Sequence, residues 1–199
     1  RDMPLFASFR VCGGQKLPFA LTHDEVRRLL DQVTAPQHRC AMALAYSCGL
    51  RLSEVATLKT EHVVSGHMRI MICSGKGDRD RSVPLAERTL QLLREHYAAA
   101  RPVKPWVFAD SRNQTHVQDR TLQTAIKLAA HAAGLNPRTS MHTLRHAYAT
   151  TLLLNGIDIG TVQTWLGHKN VATTMVYNHL LRHAKADYDA TLNRVMGDL

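Results

Sequence analysis

The decapeptide Met141-His142-Thr143-Leu144-Arg145-His146-Ala147-Tyr148-Ala149-Thr150 constrains this 199-residue chain most tightly, because it sets basic side chains at the opening of an otherwise apolar helix. His142 and Arg145 stand three residues apart and so share one helix face, while Leu144, Tyr148, Thr151 and Leu152 point elsewhere, toward a core. Two readings fit the decapeptide taken alone. It is either a site presented by a buried helix or a core helix whose first turn happens to be basic, and the rest of the chain has to decide between them.

A chain of this length with 45% hydrophobic residues can bury one substantial core or two small ones, which excludes a disordered segment. Its 25 Lys and Arg outnumber 16 Asp and Glu, for a formal net charge of +9. Such an excess suits a polyanionic partner, nucleic acid first and an anionic membrane surface second. The four cysteines, Cys12, Cys40, Cys48 and Cys73, form no C-x-x-C pair, and three sit in apolar runs where a thiol behaves as a small hydrophobe. That usage suits a reducing, cytoplasmic setting. No apolar run approaches the length of a membrane span, and the N-terminus lacks the zones of a signal peptide. The first residue is Arg1, which suggests a piece of something longer.

Residues 1–16, with Pro4, Gly13 and Gly14, read as the end of a linker from an upstream region. Thr22-His23-Asp24-Glu25 fits a capping box, and Val26, Leu29, Leu30 and Val33 continue at helical spacing, which predicts a helix to about Val33. From Cys40 to Cys48 the chain is apolar almost all round, the pattern of a central helix that Gly49 ends. Ser53 is available to cap a short helix through Leu58, which puts Arg51 at an inter-helix corner. His67–Cys73 and Arg81–Leu85 read as strands of a small antiparallel sheet, with Lys76 at the tip of the glycine-punctuated turn between them. Helical patterns return over Ala86–Ala100 and Gln118–Ala133, separated by a loop with the apolar anchor Trp106-Val107-Phe108. The helix of the decapeptide should stop near Asn155-Gly156. Asp158 caps a further helix that Gly167 terminates just before His168, and Asn170 caps a short one carrying Tyr177. Tyr188, Leu192, Val195 and Met196 make the last twenty residues, 180–199, an amphipathic tail helix that folds back in cis or docks on a neighbour. The fold class is therefore α+β, mainly helical with one small antiparallel sheet.

Each candidate residue has an ordinary reading by itself. Arg51 could be a corner arginine paired with Glu54, Lys76 a solvated hairpin-tip lysine, His168 a polar residue after a helix-ending glycine, and Tyr177 a half-buried core tyrosine. In combination they are more specific. The ordered series Gly-Leu-Arg51-Leu-Ser-Glu54, Gly-Lys76-Gly-Asp-Arg-Asp-Arg-Ser-Val-Pro-Leu, His142-Thr-Leu-Arg145-His146, Leu-Gly-His168-Lys-Asn and Thr173-Thr174-Met-Val-Tyr177-Asn-His resembles the catalytic domain of the tyrosine recombinases, the phage-integrase family. The resemblance runs from about Leu17 to His179. It implies a catalytic domain over 17–179, with residues 1–16 linking it to an N-terminal core-binding domain.

The resemblance also assigns roles, and chemistry says why those residue types are needed. Transesterification at a DNA phosphodiester passes through a more negative phosphorane, so preorganised positive charge at the non-bridging oxygens is the main catalytic resource. By resemblance Arg51 and Arg145 supply it, since a guanidinium donates bidentately and stays charged. Tyr177 matches the nucleophile; its phenol, with an ordinary pKa of about 10, needs a proton acceptor. His142 matches that base, Lys76 the acid that protonates the departing 5′-oxygen, and His168 a phosphate-binding position, with Glu54 and His146 in support. The implied reaction needs no metal and no other cofactor, because a 3′-phosphotyrosine stores the bond energy. A zinc pair at His142 and His146 has helical i, i+4 spacing but lacks the Glu of the H-E-x-x-H pattern.

The expected partner is double-stranded DNA, with a homotetramer on paired sites for a full-length protein, a monomer for an isolated fragment, and a cytoplasmic location at the nucleoid. The expected function is a site-specific recombinase. The alternatives are a DNA-binding module of the same fold that is inactive without its N-terminal domain, and an enzyme resembling type IB topoisomerases.

Overall fold

The computed structural model describes residues 20–73 and 80–167. Seven α-helices and a three-stranded antiparallel sheet make up the regular structure of these residues. The turn that carries Lys76 lies outside them, as do His168, the Asn170-capped helix with Tyr177, the linker 1–16 and the tail 180–199.

Helix α1 (His23–Asp31) opens on the capping box read from the sequence: Thr22 Oγ1 accepts from the Glu25 amide at 3.3 Å, and Glu25 Oε2 accepts from the Thr22 amide at 2.8 Å. It ends two residues before Val33. The amides of Gln32 and Val33 turn back to Leu29 and Leu30 at 3.1 and 3.2 Å, a tightened last turn that uses up the free carbonyls before Pro36. Helix α2 (Pro36–Cys48) is the central element, packed against α1, against α3 (Leu52–Ala56), α4 (Glu87–Ala100), α5 (Asp119–Ala132) and α6 (Met141–Leu154). Its near-absence of polar faces is explained by those neighbours: Cys40, Ala41, Met42, Leu44, Ala45 and Cys48 are all buried. Burying a Leu or Met side chain contributes about 1.5–3 kcal/mol, so this helix anchors the core. Burial also pushes the thiols of Cys40 and Cys48 up to about 12, leaving both inert, whereas Cys73 is exposed.

Gly49 ends α2 with φ +62°, and a Cβ there would lie 2.4 Å from Cδ1 of Tyr148 and 2.9 Å from Cδ2 of Leu166. This close approach lets α6 and the C-terminal helix α7 (Ile159–Leu166) pack on the end of α2. Ser53 does not cap α3. It lies inside the helix, its carbonyl accepting from Thr57, and Arg51 takes the N-cap position instead. The first-turn orphan donor is met by Glu54, whose Oε2 accepts from the Arg51 amide at 2.7 Å.

The sheet has the order β1 (Val63–Val64), β2 (Arg69–Ile72), β3 (Arg81–Pro84). The two-residue β1 is too short to leave an alternation in the sequence. Both predicted strands exist, trimmed by a residue or two. In the β2–β3 register Ile70 faces Val83 and Ile72 faces Arg81, and the residues on the inward face of both strands are buried. Helix α6 opens on Ser140, whose Oγ accepts from the Thr143 amide, and Asp158 caps α7 through the Thr161 amide at 2.8 Å.

Candidate active site

Three helix ends meet here: the C-terminus of α2, the N-terminus of α3 and the C-terminus of α7. Arg145 reaches the junction from the first turns of α6 and is only 4% exposed. Its Nη1 donates to the Gly49 carbonyl at 2.6 Å and its Nη2 to the Leu166 carbonyl at 2.5 Å. Both acceptors lie at C-terminal helix ends, where unsatisfied carbonyls and the negative pole of the helix dipole stabilise a cation. A buried guanidinium is tolerable because those carbonyls solvate it. Arg51 enters from the corner after α2, donating Nη2 to the Gly167 carbonyl at 3.1 Å and Nη1 to Glu54 Oε1 at 2.9 Å. Residues 96 and 116 positions apart are thereby joined at one place.

Glu54 is the shared counter-ion. Burial by itself would raise the pKa of its carboxyl, but hydrogen bonds from Arg81 and the Arg51 amide, with the charges of both arginines, outweigh that and hold it below the ordinary carboxylate value. Arg145 Nη1 stands 4.0 Å from Glu54 Oε2. His142 and His146, one helical turn apart on α6, meet edge to face with ring centroids 4.3 Å apart. Partial burial first, then the nearby positive charges of Arg145 and Arg51, lowers the pKa of His142. Burial and the adjacent His142 and Arg145 push His146 down to about 4. Both rings are therefore neutral at neutral pH, as a proton acceptor must be.

Arg51, Glu54, His142, Arg145 and His146, five of the residues named from the sequence, thus gather at one junction. Lys76, His168 and Tyr177 lie outside the described residues. Among the described residues, no group of three His, Cys, Asp or Glu side chains is placed to hold a metal ion.

Arg81 is a further participant, to which the resemblance assigns no role. Arg81, 8% exposed at the start of β3, makes a bidentate pair with Glu54, Nη1 to Oε1 at 2.8 Å and Nη2 to Oε2 at 2.7 Å, and donates Nε to the Trp165 carbonyl at 2.8 Å. The signal was present in the strand alternation: Arg81 shares parity with the buried Val83 and Leu85. A charged residue on the inward face of a strand requires a buried partner.

Comparisons with known proteins identify the family. Residues 20–183 match the model of the phage integrase family. The chain is 34% identical over 176 residues to a tyrosine recombinase of Thermosipho africanus, covering 87% of this chain and 61% of that protein. Among solved structures it is similar to XerA recombinase, with a TM-score of 0.77, 29% identity and 88% of this chain covered against 65% of that one. It is also similar to XerH site-specific recombinase bound to its difH substrate in a pre-cleavage complex, with a TM-score of 0.73, 25% identity and coverage of 87% and 54%. This mainly helical domain with one small antiparallel sheet has the fold of a tyrosine recombinase catalytic domain. The chain belongs to the phage integrase family. It spans between 53% and 61% of the length of the curated relatives it first matches.

Proposed function

We propose that the chain is the catalytic domain, residues 17–179, of a site-specific DNA recombinase that cuts and rejoins strands through a 3′-phosphotyrosyl bond at Tyr177. The observation that carries this reading is the convergence of Arg51 and Arg145, with the neutral His142 beside them, on the C-terminal end of α7. Two guanidinium groups held by helix-end carbonyls form a preorganised cation, and such a site stabilises a phosphorane more than the phosphodiester from which it forms.

In the proposed reaction the Tyr177 Oη attacks the scissile phosphorus, His142 takes the phenolic proton, and the P–O5′ bond breaks as Lys76 protonates the departing oxygen. The result is a covalent 3′-phosphotyrosine and a free 5′-hydroxyl, and the reverse step by another 5′-hydroxyl rejoins strands with no net loss of phosphodiester energy. His168, next after the Gly167 whose carbonyl Arg51 holds, is assigned to the phosphate, and Glu54 and His146 to orienting Arg51 and His142. The motif order in the sequence and the family match over 20–183 support these assignments.

The substrate is double-stranded DNA, in keeping with the net charge of +9 and with the XerH complex, and the working form is a homotetramer on paired sites when the protein is complete. The proposed location is the nucleoid. Among the described residues no helix is long and apolar enough to cross a membrane.

A nicked suicide duplex, from which the short fragment bearing the new 5′-hydroxyl diffuses away after cleavage, tests the proposal. The expected result is a protein–DNA adduct that survives denaturation and is lost in Tyr177→Phe. An adduct that persists in that variant, or none with the wild-type chain, rejects the enzyme and leaves a DNA-binding module.

A further inference from the structure

Three successive carbonyls at the end of α7 each accept a hydrogen bond from a different arginine: Trp165 from Arg81, Leu166 from Arg145 and Gly167 from Arg51. The same three arginines also surround one carboxylate, that of Glu54. Arg81 is the member that touches both sets from the sheet, with its side chain 5% exposed and its two terminal nitrogens each donating to one carboxylate oxygen. Its stem lies where a side chain at position 167 would go, since a Cβ on Gly167 would stand 2.9 Å from Arg81 Cδ.

We infer that Arg81 is a positioning residue for strand cleavage: by clamping Glu54 and the Trp165 carbonyl together, it fixes the angle at which Arg51 and Arg145 meet the phosphate. The inference rests on the proposed role of Arg51 and Arg145 as the phosphate clamp. Arg81 itself touches no reacting atom. Its two contacts set the distance between the N-terminus of α3, where Glu54 sits, and the C-terminus of α7, whose next two carbonyls orient the other arginines. Lysine restores the charge opposite Glu54, but its one nitrogen cannot take the place of the three that Arg81 spreads over the two carboxylate oxygens and the Trp165 carbonyl. Stability and cleavage therefore separate in a lysine variant. A 1 Å error in a catalytic cation is enough to cost about 100-fold in rate.

The test compares the wild-type chain with Arg81→Lys, Arg81→Gln and Arg51→Ala on the suicide duplex. It measures the melting temperature, the equilibrium DNA affinity and the single-turnover cleavage rate, each rate taken well below the variant's own melting point. For Arg81→Lys the expected pattern is a melting temperature closer to wild type than that of Arg81→Gln, an affinity within about threefold of wild type, and cleavage at least 30-fold slower. Arg81→Lys that cleaves at the wild-type rate, or loses cleavage only in proportion to affinity, overturns the inference and leaves Arg81 a structural ion pair. Arg81→Gln answers the same question if the lysine variant does not fold, requiring the same loss of rate at retained affinity. Undiminished cleavage by Arg51→Ala overturns the clamp and the inference with it, whereas a dead Arg51→Ala beside fully active Arg81 variants overturns the inference alone.

Discussion

Glu54 concentrates the electrostatics of the site in one residue. Its side chain is 12% exposed and faces the guanidinium groups of Arg51, Arg81 and Arg145, so removing its charge strands the buried Arg81 and Arg145, while Arg51 keeps contact with water. Glu54→Gln is expected to lower stability by about 3 kcal/mol at neutral pH, measured by urea unfolding. Because the folded pKa of Glu54 is depressed, its contribution is fully present above the ordinary carboxylate value of about 4.3 and fades as pH falls through the folded value, so the gap between the two proteins closes only in acid. The histidines act at milder pH. His146, held at about 4, and His142, also lowered, bind fewer protons folded than unfolded, so stability rises with pH between roughly 4 and 6.5. His146→Gln should flatten the dependence of the denaturation midpoint over that window. For catalysis, Arg145→Lys keeps a charge but cannot reach the Gly49 and Leu166 carbonyls with one planar fork, and cleavage is expected to fall by about 100-fold or more.

At the scale of elements, the C-terminus of α7 organises the site. Gly167 has φ +64° and lies against Arg81, so Gly167→Ala meets both a backbone penalty and a collision. The expected loss is about 1–3 kcal/mol, seen by thermal melting, together with slower cleavage because the carbonyls of 165–167 shift. Thr22→Ala is the contrasting case. It removes the cap of α1, far from the junction in the fold's element order, and should cost about 1 kcal/mol without changing the cleavage rate. These elements were legible to different degrees. The capping box at Thr22, Gly49, Asp158 and Gly167 write local rules into adjacent residues, so the helix ends they mark agree nearly to the residue, whereas α2 begins at Pro36, four residues before the apolar run, and α1 stops two residues short of Val33. Ser53 misled because a capping preference was weighed without Glu54, whose carboxylate meets the orphan amide from inside the helix. Strand alternation marks Arg81 as inward-facing, but it cannot name the partners, which lie 27 and 84 positions away.

On the scale of the whole molecule, paired arginines at a helix-end junction sit in a chain of net charge +9. The decapeptide that opens α6 could be read as a site or as a decorated core helix, and in the fold its apolar and basic residues part company. Leu144 and Tyr148 are buried in cores while His142 and Arg145 face the junction. If DNA is held mainly through phosphates, a protein making six to ten such contacts should lose about 10³–10⁵ in affinity between 50 and 200 mM salt, and fluorescence anisotropy with a labelled duplex measures the slope. The central claim is that these charges serve a phosphotyrosyl transfer at one residue. Trypsin digestion of the adduct trapped on a suicide duplex, followed by mass spectrometry of the nucleotide-bearing peptide, tests it most directly. The account predicts attachment within Asn170–Arg182, whose single tyrosine is Tyr177; a nucleotide on any other peptide, or on Tyr148 or Tyr188, would contradict it.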